Sequence, residues 1–223
     1  MDNLKILYKY TTKSRRVNFL RGINSIVDNS DSKNFAFLIS IENKIYDPNM
    51  HPFPEINHFD YQVAINKDKP TTKIGAINRD LSDYSKYKSW DILVNMSDDM
   101  FFTFKGFDNI IREEFIKENN LDLFLHFPDG NQRNLATMTI IGKTYFDRDG
   151  YIYHPDYKSL WADNEAQEVS QIRGCYRFVD QVIFNHLHPA YGKAVSDAQY
   201  THTESYSHED GQTYIRRKAN GFN

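Results

Sequence analysis

The chain has 223 residues, a formal net charge of −3, 40% hydrophobic and 15% aromatic residues. That length suits one large domain or two small ones, and the apolar content is enough for a real core. The near-neutral charge argues against a global basic field for nucleic acid, the single cysteine Cys175 excludes an intramolecular disulfide and a cysteine-rich zinc site, and no apolar run approaches the roughly 20 residues that span a bilayer.

Lys5 to Tyr10 reads as a short strand, followed by the polar, basic loop Thr11-Thr12-Lys13-Ser14-Arg15-Arg16, with Ser14 as a candidate helix cap. From Val17 to Asn29 the residues Phe19, Leu20, Ile23, Ile26 and Val27 recur at helical spacing. Asn34 to Ile41 is a second strand, 42–58 a proline- and asparagine-rich loop, and Tyr61 to Ile65 a third strand. Thr71-Thr72 precede a helical stretch from Lys73 to Leu81, and Ile92 to Met96 is a fourth strand. Phe107, Ile110, Ile111 and Phe115 mark a helix that ends near Asn119-Asn120, and Leu123 to Phe127 is a further strand. Beyond it, Thr137 to Ile141, Tyr151 to Tyr153 and Phe178 to Phe184 read as strands and Ala162 to Arg173 as a helix, and the tail from Asp197 is polar with weak helical character. Strands alternate with helices through the first hundred residues, which favours a largely parallel α/β sheet in one domain over 1–223.

Ligands of open α/β sheets bind at the carboxyl ends of the strands. The fourth strand ends there in Ser97-Asp98-Asp99. Two adjacent carboxylates repel each other and are costly to desolvate unless something positive sits between them. A divalent ion carrying a phosphate ligand supplies that charge; a capping Ser97 or Asp98 with Asp99 in water is the alternative. Tyr10, Thr11, Thr12 and Arg15 combine a ring, hydroxyls and a guanidinium suited to a base and its phosphates. Lys73-Ile74-Gly75-Ala76-Ile77-Asn78-Arg79 places a lysine near a helix start beside two small residues that permit close approach. Trp161-Ala162-Asp163-Asn164-Glu165 puts acids in a first helical turn, as a general base beside an aromatic or simply as favourable dipole partners. The rings of 151–157 suit stacking or the core equally. His186-Leu187-His188 presents two imidazoles to one side of an extended segment. Glycine-based nucleotide loops are excluded: Gly142-Lys143-Thr144 lacks the upstream glycine, Thr137 standing in its place, and no Gly-x-Gly-x-x-Gly occurs.

In this order, these residues resemble a small GT-A-fold glycosyltransferase, similar to family 2 enzymes that use nucleotide-diphosphate sugars. The resemblance runs from about Lys5 to Lys193 and is carried most strongly by the Lys73–Arg79 helix and the acid pair. It implies a Rossmann-like, mostly parallel central sheet flanked by helices. It implies that Tyr10, Thr11, Thr12 and Arg15 hold the nucleoside, that Lys73 contacts the base or diphosphate with support from Asn78, and that Asp98 sits by the ribose or donor sugar. Asp99 then binds Mn²⁺ or Mg²⁺ with His186 or His188, His186 preferred, and Asp163 is the base with Glu165 as second choice. The chain departs from the family in having Ser-Asp-Asp for the commoner Asp-x-Asp, and Asp163-Asn164-Glu165 without a following Gln-x-x-Arg-Trp.

The implied activity is inverting, metal-dependent transfer of a hexosyl or pentosyl group from a nucleotide-diphosphate donor, with UDP the family's habit, to an acceptor hydroxyl. The acceptor is a glycan, a protein or a hydroxymethylated base in viral DNA. For DNA, Arg216, Arg217 and Lys218 are candidate phosphate contacts. A nucleotidyltransferase acting on sugar phosphates and a non-catalytic nucleotide-sugar-binding module are the competing readings. Cys175 and the absence of a leader pattern fit a cytoplasmic protein.

Overall fold

The computed structural model describes residues 3–13, 15–41, 56–66, 71–193 and 196–223. Ser14 and most of the expected 42–58 loop therefore lie outside the described residues.

The amino-terminal half follows the expected alternation. Strand β1 (Ile6–Thr12) leads through helix α1 (Arg16–Asn29) to β2 (Phe35–Ile41) and β3 (Asp60–Ile65); α2 (Lys73–Asn78) and α3 (Leu81–Tyr87) precede β4 (Ile92–Met96). The expected single helix from Lys73 to Leu81 is broken, because Asp80 takes a left-handed conformation (φ 71°) between α2 and α3. Next come β5 (Met100–Phe102), α4 (Phe107–Glu118), β6 (Phe124–His126), β7 (Ile140–Gly142) and α5 (Lys143–Asp149). The chain continues through α6 (Ala162–Ile172), β8 (Tyr176–Phe178), β9 (Phe184–His186), a 3-10 turn at Pro189–Tyr191, α7 (Ala198–Glu204) and α8 (Ser207–Ala219).

Two expectations fail here. Residues 151–153 form a bend, because Ile152 and Tyr153 donate their backbone N–H groups to the side chain of Asn78 rather than to a strand. The expected strand over 178–184 is instead a loop that joins β8 to β9, strands of different sheets.

Among the described residues a seven-stranded sheet runs in the order β3-β2-β1-β4-β7-β6-β8. Strands β3, β2, β1 and β4 are parallel, β7 is antiparallel to both β4 and β6, and β8 is parallel to β6. Strands β1, β2 and β4 are mostly apolar and buried along nearly their whole length, as a sheet covered on both faces requires, with Lys9, Ser40 and Asn95 as buried polar exceptions. On one face Tyr8, Tyr10, Phe37 and Val94 pack with Phe19 and Ile23 of α1 and Ile111 and Phe115 of α4. On the other, Leu7, Leu38 and Leu93 pack with Ile74 and Ile77 of α2, Leu81 of α3, and Tyr145 and Phe146 of α5.

A second sheet pairs β5 with β9, antiparallel, Met100 opposite His186 and Phe102 opposite Phe184. It is anchored by Phe102, which stacks on Phe107 of α4 with ring centroids 3.6 Å apart. Full burial of a phenylalanine contributes about 1.5–3 kcal/mol, so this anchor fixes the ribbon that carries His186. No described helix is long and apolar enough to cross a membrane.

Candidate functional site

The parallel strands β1 and β4 lie side by side with Tyr10 opposite Met96, so their carboxyl ends bring Thr12 next to the turn Ser97–Met100. That turn closes through Met100 N–H donating to Ser97 O at 3.1 Å. The Tyr10 hydroxyl donates to the same carbonyl at 3.1 Å, and the Thr12 hydroxyl donates to Asp98 Oδ2 at 3.0 Å. Asp98 is 6% exposed, and its other oxygen, Oδ1, is buried without a hydrogen-bond partner among the described residues. Burial pushes its carboxyl up to about 7, with the Asp99 charge adding to the shift and the Thr12 hydrogen bond opposing it.

Asp99 differs sharply from its neighbour. Burial again raises its pKa, but His186, Lys73 and the Ser97 hydroxyl outweigh burial and hold it well below the usual carboxylate range. Its position comes from the small sheet: Leu187 N–H donates to Asp99 O at 2.7 Å, which sets His186 Nε2 3.4 Å from Asp99 Oδ2. On the other side of the imidazole, Nδ1 faces Asp129 Oδ2 at 3.4 Å. Burial opposes a charged His186, yet the two flanking carboxylates raise it to about 9. His188 turns elsewhere. Its Nδ1 accepts the Ala190 N–H at 3.3 Å as the cap of the 3-10 turn, and its ring meets those of His186 and Tyr200 edge-on, each at 5.2 Å. Of the two histidines, His186 is the one that faces Asp99.

Lys73 and Asp163 complete the cluster. Thr72 caps α2 by accepting from Gly75 N–H at 3.0 Å, which leaves Lys73 exposed at the first helical position. Its ammonium acts on both Asp99 and Asp163. Asp163 stands in the first turn of α6, after the left-handed Trp161 (φ 63°). Burial raises its pKa, against the lowering effects of Lys73, the Asn164 N–H and His186. The buried Tyr153 hydroxyl, held by Thr139 Oγ1 at 2.9 Å, feels the Asp163 charge.

Four other expectations need correction. The Tyr10 ring is fully buried and packs edge-on against Phe19 at 4.7 Å, so it is core rather than a stacking surface for a base. Asn78 spends its side chain on the backbone of 152 and 153, donating to Tyr153 O at 2.6 Å and accepting from both N–H groups; it positions the loop before Asp163 rather than a ligand. The Glu165 carboxylate is buried against the Arg217 guanidinium at 2.8 Å and accepts from the Tyr157 hydroxyl at 2.8 Å, which commits it to contacts within the protein. The expected basic tail is neutralised: Arg216 pairs with Asp156, Arg217 with Glu165, and Lys218 with Glu168. The rings of 151–157 follow suit, with Tyr153 and Tyr157 in the core. Arg15 pairs with Asp197, the cap of α7, at 2.6 Å, and the Thr11 hydroxyl is buried without a partner among the described residues.

Asp129 is the site residue that the sequence reading misses. It follows β6 in Phe127-Pro128-Asp129-Gly130, and a Pro-Asp-Gly run at the end of a strand is the signal that marks it.

The donor set can be tested against a divalent cation. Among the described residues, no group of three or more His, Cys, Asp and Glu side chains is placed to hold a metal. Asp99 Oδ2 and His186 Nε2, 3.4 Å apart, have a spacing that suits adjacent ligands of one ion. Mg²⁺-type sites of this kind take one or two carboxylates, and substrate phosphates and water fill the rest. The residues therefore fit a cation shared with a phosphate-bearing ligand, and not a closed all-protein site.

Comparison with known proteins bears on the fold. No family model matches the chain, and no curated protein matches it. Solved structures do. TarS 1–349 from S. aureus in complex with UDP-GlcNAc superposes with a TM-score of 0.60 at 11% identity, over 90% of this chain and 64% of that one. The same protein in complex with UDP gives 0.61 at 12% identity, over 82% and 60%. The mannosyltransferase PcManGT from Pyrobaculum calidifontis, in complex with GDP-Man and Mn²⁺, gives 0.53 at 9% identity, over 81% and 56%. The chain thus spans less than two thirds of the length of these structures. Its parallel β3-β2-β1-β4 core has the GT-A fold that these structures share.

Proposed function

We propose that this chain is an inverting, metal-dependent glycosyltransferase that moves a hexosyl or pentosyl group from a nucleotide-diphosphate sugar, with UDP as the nucleotide, to an acceptor hydroxyl. The observation that carries this reading is the convergence of Asp98, Asp99, Lys73, His186 and Asp163 at the carboxyl ends of β1 and β4. The complexes of TarS with UDP and UDP-GlcNAc, and of PcManGT with GDP-Man and Mn²⁺, support a nucleotide-sugar donor on this fold.

Each residue has a role that its surroundings support. Thr11 and Asp98 offer buried polar atoms without partners among the described residues, and the nucleoside supplies their complement. Asp99 and His186 hold a Mn²⁺ or Mg²⁺ ion, which when bound stabilises charge on the departing diphosphate. Lys73 adds a fixed positive charge at the same place. Arg15 is held at the mouth by Asp197 and serves the same anionic donor.

Asp163 takes the acceptor proton. The acceptor oxygen bonds to the anomeric carbon from the face opposite the diphosphate. The bond from that carbon to the phosphate oxygen breaks, its electron pair leaves with the nucleoside diphosphate, and the hydroxyl proton passes to a carboxylate oxygen of Asp163. A base with a raised pKa has more driving force for this transfer. His188 stands behind His186 as a packing partner.

Product analysis tests the reading. Incubation with UDP-sugars and Mn²⁺ should release UDP, with inversion at the anomeric centre seen by proton NMR. Release of pyrophosphate from a nucleoside triphosphate and a sugar phosphate instead makes the protein a nucleotidyltransferase.

A further inference from the structure

Asp129 is fully buried, stands thirty residues from Asp99 in sequence, and is gripped from several sides. Its Oδ1 accepts the N–H groups of Asn131 and Gln132, each at 2.9 Å, and its Oδ2 accepts the Thr137 hydroxyl at 3.2 Å. This carboxylate cannot swing, and the oxygen oriented by Thr137 is the one 3.4 Å from His186 Nδ1.

The same turn holds the histidine by its main chain. His186 N–H donates to Asp129 O at 3.0 Å, and Asn131 Nδ2 donates to His186 O at 2.6 Å. Gly130 permits the close approach: its φ is +78°, and a Cβ there would clash with Asn185 Oδ1. The turn and the strand end are therefore built as one piece around the imidazole.

A neutral imidazole carries one proton on two nitrogens, and the partner of one nitrogen decides what the other can do. Without a cation the ring stands at ion-pair distance, 3.4 Å, from a carboxylate at each nitrogen, which favours the doubly protonated form. A cation on Asp99 would take the place of the Nε2 proton, and the fixed Asp129 keeps the other proton on Nδ1. We propose that Asp129 is a positioning residue that selects the Nδ1–H tautomer of His186 and so makes Nε2 a cation ligand. The inference rests on the function proposed above, and it adds to that site a residue that touches neither donor nor acceptor.

Asp129→Asn is the informative variant. An asparagine oxygen still accepts from the turn N–H groups, and its NH₂ then faces His186 Nδ1 and moves the ring proton to Nε2. Mn²⁺ binding to the UDP-loaded protein, followed by the electron paramagnetic resonance signal of free Mn²⁺, should weaken about 10- to 100-fold, the usual cost of losing such a partner. UDP binding without metal should stay as in wild type. Ring ¹⁵N shifts of His186 in the Mg²⁺·UDP-loaded wild type should show the proton on Nδ1, a readout that needs no variant to fold. Wild-type Mn²⁺ affinity in Asp129→Asn, or an Nε2–H tautomer in the wild type, overturns the role of Asp129 alone. Failure of the wild type to bind Mn²⁺ with UDP overturns the functional reading as well.

Discussion

Two clusters of buried charge in this protein are built on opposite principles. Around Glu165, the charges close on one another. Arg217 makes paired contacts with its carboxylate, Tyr157 adds a hydrogen bond, and nearby Asp210 accepts the N–H groups of Lys158, Ser159 and Leu160 at 2.8–2.9 Å. At the ends of β1 and β4, by contrast, polar groups are left open: Asp98 Oδ1 and Thr11 Oγ1 are buried without partners among the described residues, and Lys73 stands exposed above Asp99 and Asp163. Buried polar groups are normally satisfied, so the paired charges around Glu165 serve the scaffold, and the open groups at the strand ends are those to which the proposed donor offers partners. Helix α8 illustrates the first case. Its basic residues dock it on α6 and the 156–160 loop, and so hold the segment that leads into Asp163.

The contrast breaks most readily at Asp163. Asp163→Asn should lower kcat for sugar transfer by about 10²- to 10⁴-fold, the range expected for a lost general base, with UDP affinity unchanged in calorimetry. In the wild type, kcat should fall as pH drops through the raised Asp163 pKa, because the acid form cannot accept a proton, and this limb should vanish in the variant. A scaffold charge behaves in the reverse manner. Arg217→Ala leaves Glu165 buried and unpaired, and urea unfolding should show a loss of about 3–5 kcal/mol. Arg216→Ala, at an exposed pair, should cost less than about 1 kcal/mol.

His126 sharpens the comparison through pH. It is buried on β6, its Nδ1 lies 2.6 Å from the Tyr176 hydroxyl, and burial lowers its pKa to about 4 from an ordinary 6.5. The unfolded chain binds a proton between those values and the folded one does not, so stability is full above pH 6.5 and is lost as pH falls toward 4. The loss should reach roughly 3 kcal/mol by pH 4. Denaturant titrations of wild type and His126→Gln at pH 7 and 4.5 should show a smaller pH dependence in the variant.

The sequence discloses the four parallel strands because they are short apolar runs bounded by polar turns, and it discloses α1 and α4 because their apolar spacing is regular. It also discloses where the acids fall, since Ser97-Asp98-Asp99 directly follows β4. Long-range partners are what it hides. Asn78 reads as a ligand contact until the bend at 152 and 153 is seen to occupy it, and the basic tail reads as a phosphate surface until Asp156, Glu165 and Glu168 are seen to face it. Asp129 and His186 are 57 positions apart, and the turn and strand that join them have no shared periodicity. Asp80 breaks the α2–α3 segment by a backbone conformation that helical spacing does not encode.

The most direct measurement is a calorimetric titration of UDP into the wild type and Asp99→Ala, with and without Mn²⁺. We expect tight binding only for the wild type with Mn²⁺, with the substitution abolishing the metal-dependent gain. Equal binding by the two proteins, or no gain from Mn²⁺ in the wild type, would contradict a metal-assisted nucleotide-sugar site at the end of β4.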